Sequence, residues 1–192
     1  MAVSDQRGTK TVYQLKVTLE DIRPPIWRRI QVRGDVTLHK LHEILKVAMG
    51  WGGYHLHQFI VGEESYSEIS KENDIFADEF KDEKRAKMNK IAPVENFKFI
   101  YEYDFGDSWY HDILVEKIFQ PEEDLKYLVC LKGKRASPPE DCGGVPGYYE
   151  LLEAMKDPEH PEHEHMLEWL GGEFDPEKFD LDEINRQLSK IK

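Results

Sequence analysis

A chain of 192 residues with 38 acidic and 26 basic side chains carries a formal charge of -12. That sign opposes the phosphate backbone and anionic lipid, so a nucleic-acid partner is not expected, and no apolar run reaches the ~20 residues of a membrane-crossing helix. Two cysteines, Cys130 and Cys142, lie outside a CxxC arrangement and no secretory signal pattern precedes them, which points to a reducing cytoplasm.

The length suits one domain: a flexible tail over residues 1–11, then an α+β domain over 12–192 with a charged insertion at about 65–95 and helices from about 145. Tyr13, Leu15, Val17 and Leu19 alternate with Gln14, Lys16 and Thr18, the period of a half-buried strand. Arg23-Pro24-Pro25 interrupts, and the alternation from Ile26 to Arg33 predicts a return strand, with the prolines in the connection. Thr37 is placed to cap a helix in which Leu38, Leu41, Ile44, Leu45, Ala48 and Met49 share one side, and Gly50 closes it. Trp51-Gly52-Gly53 then turns, and His55 to Val61 reads as a third strand. Strand, strand, helix, strand opens a grasp-like unit with its helix across one sheet face.

Residues 65–95 are charged and weakly periodic, the pattern of a long surface insertion. Rings then recur at every second residue from Phe97 to Phe105, and on a strand these form one aromatic stripe, read as a core wall. A tight turn at Phe105-Gly106-Asp107-Ser108 leads into a partner strand from Trp109 to Phe119, and another strand is expected over Tyr127 to Leu131. After a Pro- and Gly-rich loop, Tyr148, Leu151, Leu152 and Met155 mark a short helix and His163 to Leu170 a second. Asp180 with Glu183 resembles a capping box before a last helix bearing Leu181, Ile184, Leu188 and Ile191. The predicted class is α+β: a mixed, largely antiparallel sheet with helices on one face and a helical C-terminal part.

Candidate chemistry gathers at the end of the aromatic strand. Asp104-Phe105-Gly106 spells the metal-binding triplet of protein kinases, but the other kinase motifs are missing. The structural reading is a turn in which Gly106 supplies an unusual backbone angle and Asp104 or Asp107 bonds nearby amides. His111 shares a strand face with Trp109 and could meet His55 or His57. Imidazoles beside Asp104 and Asp107 could shuttle protons or bind a metal, whereas a histidine hydrogen-bonded at a sheet edge needs no chemistry. The catalytic candidates are therefore His111, Asp107, Asp104 and Glu140, and the binding candidates are His57, Trp109, Asp141, Cys142 and Tyr148.

No cofactor or metal is expected. A zinc set of Cys130, Cys142 and His111 lacks recognisable spacing, and the tract from His160 to His165 reads as a solvated surface that would pick up nickel or zinc incidentally. Glu140 and Asp141 would oppose a thiolate at Cys142. Between Glu150 and Glu183 the acids face only Lys156 and Lys178, which also argues against bases stacking on the aromatic stripe.

The segments Tyr101 to His111, Pro138 to Tyr148 and Asp157 to Gly172, with the opening Tyr13-Gln14-Leu15-Lys16-Val17, Pro24-Pro25-Ile26-Trp27-Arg28-Arg29 and His55-Leu56-His57-Gln58-Phe59, together resemble one family. It is the plasmid open-reading-frame-three-like family, named after a root-inducing plasmid and sometimes labelled a resolvase-like (TnpR-like) passenger of insertion elements. The resemblance spans about Val12 to about Leu188. It implies a compact α+β domain of unestablished biochemical function and carries over no catalytic residue. Tyr110 stands where an acid is common, and Ser137 where a cysteine is common, so a metal or redox set using that cysteine would lack a ligand here. Ser4, in a polar tail, and acidic C-terminal helices give the resolvase label no chemical support.

The expected function is a non-enzymatic binding or accessory module related to plasmid and mobile-element proteins, with a protein as the partner class left open. The turn from Asp104 to His111 and the loop from Glu140 to Tyr148 would frame its cleft. The rivals are a small metal-dependent or acid/base hydrolase using His111 with nearby carboxylates, and a nucleic-acid accessory with a basic face of Arg23, Arg28, Arg29 and Arg33.

Overall fold

The computed structural model describes residues 11–69, 80–122 and 127–191, so the expected tail, apart from Thr11, and the middle of the charged insertion lie outside the described residues. Eight strands, β1 (Val12–Leu19), β2 (Trp27–Arg33), β3 (His57–Val61), β4 (Glu64–Ser67), β5 (Lys81–Asp82), β6 (Lys98–Tyr103), β7 (Trp109–Phe119) and β8 (Leu128–Lys134), form one sheet. Its order is β5-β4-β3-β6-β7-β1-β2-β8, antiparallel throughout except for the β4–β5 edge pair. The helices are α1 (Leu38–Met49), α2 (Met88–Ile91), α3 (Gly144–Lys156), α4 (His163–Leu170) and α5 (Leu181–Leu188). Among the described residues no helix is long and apolar enough to cross a membrane.

The two-residue period places one buried row per strand on the helix-covered face. Phe59, Tyr101, His111 and Leu19 are side-by-side partners across β3, β6, β7 and β1, and His57, Tyr103 and Trp109 form the next row. The aromatic stripe is thus a core wall, as read from its spacing, but it ends at Tyr103: Phe105 leaves the strand and is exposed. The opposite face is polar. There Glu116 accepts both guanidinium arms of Arg29, at 2.6 and 2.7 Å, and the amide of Gln14 at 2.9 Å.

Helix α1 begins and ends as its sequence requires. Thr37 accepts the amide of Lys40 at 3.2 Å, and Gly50, left-handed at φ 83°, donates back to Lys46. Its buried side, Leu38, Leu41, Ile44, Leu45 and Ala48, lies on the sheet, and α5 packs against α1 and β8.

Three expectations change. The third strand starts at His57, because Trp51 to Leu56 form a loop, which frees His55 from the sheet. The described end of the charged insertion is no surface excursion: Ala86, Met88, Ala92 and Glu83 are buried, and its backbone bonds Leu38, Val36 and Gly34. Nor do the arginines make a basic face. Arg28 turns inward, donates to the carbonyls of Ala48 and Lys134 at 2.8 and 3.0 Å, and burial lowers its pKa to about 10, while Arg29 and Arg33 pair with Glu116 and Asp35.

Candidate functional site

Three loops meet at one end of β6 and β7: residues 51–56 after α1, the 104–108 turn, and residues 137–143 before α3. Asp104 closes the turn. Its Oδ1 accepts the amides of Gly106 and Asp107 at 2.9 and 3.3 Å, as read from the sequence. The unusual backbone angle is not at Gly106, however. The left-handed residues are Asp104 (φ 61°) and Ser108 (φ 54°), and Gly106 instead lets the Asp104 carboxylate approach, since a Cβ there would lie 3.2 Å from Oδ1.

Asp107 ties the turn to α3. Its Oδ2 accepts the amide of Gly143 at 3.2 Å, and its carbonyl packs so close to left-handed Gly144 that a Cβ would sit 2.7 Å away. Glu140 is equally occupied, accepting the hydroxyl of Tyr103 at 2.5 Å and the amide of Gly52 at 2.9 Å. Trp51 stacks on Tyr103 with centroids 4.7 Å apart and donates from Nε1 to the carbonyl of Pro138. Asp107 and Glu140 therefore hold the three loops together, and that accounts for their carboxylates without a reaction.

His111 does not join them. Its ring is fully buried against Trp51, its Nδ1 donates to the Tyr101 carbonyl at 3.1 Å, and burial lowers its pKa to about 4. It is a neutral core histidine, out of reach of substrate, which removes the acid/base role proposed for it. Trp109 and Tyr148 are also buried, so neither is available for binding. Cys142 is half-buried, and burial with the nearby Asp107 pushes its thiol up to about 12, which disfavours the thiolate a nucleophile needs. Cys130 is buried in β8, and the zinc set imagined with His111 is not assembled.

His57 belongs to a separate cluster that sequence reasoning missed. Glu83, 0% exposed, accepts from His39 Nδ1 and His57 Nε2, each at 2.7 Å. His57 lies flat on His42, with centroids 3.4 Å apart, and His42 Nδ1 is 2.7 Å from the Tyr101 hydroxyl. Burial, then the neighbouring His57, pushes the pKa of His42 down to about 2. The available signal was His39 and His42 one turn apart on a helix. Glu83 gave none, standing in the middle of five consecutive charged residues, Lys81 to Arg85.

What remains partly accessible is His55, held between the buried Asp104 and the exposed Asp141. His55 Nδ1 lies 3.3 Å from Asp104 Oδ2, and Nε2 lies 3.4 Å from Asp141 Oδ1. Beside them opens a cleft of about 220 Å³, lined by Asp141, Cys142, Glu150, Leu151, Met166 and Trp169 among others. Trp169 is 44% exposed, and α4 buries none of its residues. Of the proposed binding residues, Asp141 and Cys142 stand on this cleft.

Residues 11–183 match the family described as plasmid pRiA4b ORF-3-like protein. The chain belongs to this family. An uncharacterized family relative, y4hQ of Sinorhizobium fredii, is 34% identical over 183 residues, covering 94% of this chain and 92% of that one. The crystal structure of a protein of unknown function, MM3350 of Methanosarcina mazei Go1, superposes with a TM-score of 0.81 at 42% identity. It covers 90% of this chain and 96% of that one. The pRiA4b ORF-3-like fold is thus the α+β sheet described above.

Proposed function

We propose that this pRiA4b ORF-3-like protein is a binding module that takes a basic, apolar-anchored segment of another protein into the cleft between the Asp141–Cys142 loop, α3 and α4. The observation that carries the reading is the pairing of an exposed Trp169 and the apolar Leu151 and Met166 with the carboxylates of Asp141 and Glu150 in one concavity. At about 220 Å³ the cleft falls below the roughly 300–1,000 Å³ of small-molecule pockets and suits a single large side chain. Asp141 and Glu150 line it, and the chain that builds it is rich in acids from Glu150 to Glu183, which favours a cationic ligand whose association slows as salt rises. Exposed tryptophans at the centre of a contact commonly supply much of its binding energy.

The test is fluorescence anisotropy with a labelled peptide of alternating lysines around one phenylalanine. The peptide should bind, weaken as salt rises, and lose about tenfold in affinity with Trp169→Ala, equivalent to about 1.4 kcal/mol. Equal affinity for the glutamate-substituted peptide, or no effect of Trp169→Ala, would refute the reading.

A further inference from the structure

We infer that His55, Asp104 and Asp141 form a binding site for a divalent first-row transition metal such as Zn²⁺. The three side chains come from three different loops, and one ligand atom from each lies within 4.8 Å of the others. The imidazole argues against calcium and magnesium, which favour all-oxygen shells. One nitrogen and two carboxylates lie within the zinc repertoire, and zinc binds such sets more tightly than manganese.

The separation of His55 Nδ1 from Asp104 Oδ2 suits an ion better than it suits a salt bridge. An imidazolium held by a carboxylate sits at roughly 2.7–2.9 Å. Here the gaps are 3.3 and 3.4 Å, and neither contact is a hydrogen bond. Two ligands at about 2.0–2.2 Å from a tetrahedral zinc are about 3.3–3.6 Å apart, so His55 Nδ1 and Asp104 Oδ2 already have the separation of ligands sharing an ion.

The supporting shell is in place. Asp104 is 8% exposed, and the amides on its Oδ1 leave Oδ2 turned to His55, with no hydrogen-bond donor on Oδ2 among the described residues. His55 is braced edge-on by Tyr103 at 5.7 Å. Asp141, with a side chain 72% exposed, now faces the other ring nitrogen and would complete the set by turning toward the one that Asp104 faces, its ligand atom lying within 4.8 Å of the others. Solvent on the Asp141 side leaves a position for water or a ligand donor, the arrangement of an open rather than a closed structural site. Asp141 also lines the cleft, but the site stands independently of the peptide reading.

The test is calorimetric titration of ZnCl₂ into tag-free, chelator-treated protein, with thermal unfolding in parallel. A His160→Gln/His165→Gln background removes incidental binding by the surface tract. One equivalent should bind there and raise the unfolding temperature by mass action. Asp104→Asn keeps the Oδ1 acceptor and tolerates the left-handed backbone, so it should fold normally yet weaken zinc by about a hundredfold, with His55→Gln similar and Asp141→Asn losing about tenfold. Unchanged zinc affinity in Asp104→Asn, or no zinc bound in the His160→Gln/His165→Gln protein, overturns the assignment. Trp169→Ala should leave zinc binding intact, so failure of the peptide reading and failure of the metal site are separable.

Discussion

Among the described residues, two groupings of imidazole with carboxylate differ in everything except their chemistry. Around Glu83 the carboxylate is sealed in, both its oxygens are bonded at 2.7 Å, and the rings stack. Around Asp104 the contacts are 3.3 and 3.4 Å, and one carboxylate stands in solvent. The same residue types are thus spent on cohesion in one place and left unsatisfied in the other. Saturated hydrogen bonding and burial, more than residue identity, separate a structural histidine from one able to take a ligand.

The contrast is sharpest if the closed cluster is broken. Glu83→Ala leaves two imidazoles facing an empty site and should cost about 3–5 kcal/mol, read as a lower urea midpoint. Asp141→Ala at the open end should cost well under 1 kcal/mol, and equal losses at the two positions would erase the distinction.

Acid should act next, through the buried neutral rings. The pKa of His42 falls to about 2 and that of His111 to about 4 in the folded protein, against 6.5 for a free histidine. Below pH 6.5 the unfolded chain takes up protons that the folded chain refuses. Stability is therefore fully present above pH 6.5 and declines as pH falls toward the folded values. Between pH 7.5 and 5 each ring should contribute a loss of about 2 kcal/mol. His111→Gln, which keeps a donor for Tyr101, should flatten that slope in urea titrations. An unchanged slope would mean that His111 is not held neutral.

A smaller effect is expected where the turn meets α3. Asp107→Ala frees the amide of Gly143 and should cost about 1 kcal/mol in thermal unfolding, because one partly exposed hydrogen bond is lost. A loss several times larger would move Asp107 from a loop tie into the core network.

Much of the architecture was legible because one-sided burial leaves a period in the chain. β1, β2, β6 and β7 each write buried residues at alternate positions, and α1 announces its ends with Thr37 and Gly50. Arg28 shows where the pattern misleads. It occupies an inward position in β2, and its charge drew it into an imagined basic face. His55 and His57, two residues apart, looked like one strand face, yet the strand begins between them and sends them to different clusters.

By itself the sequence determined the elements outside residues 64–95, the polar and apolar sheet faces, the Asp104 turn and the family. Those follow from local propensity and periodicity, which act over a few residues. Only the tertiary structure decided that His111 is a core ring, that Glu83 unites His39 and His57, and that Asp104 meets His55 and Asp141. These contacts join segments far apart in the chain, and their energies depend on burial and on distances of a few ångströms, neither of which spacing records.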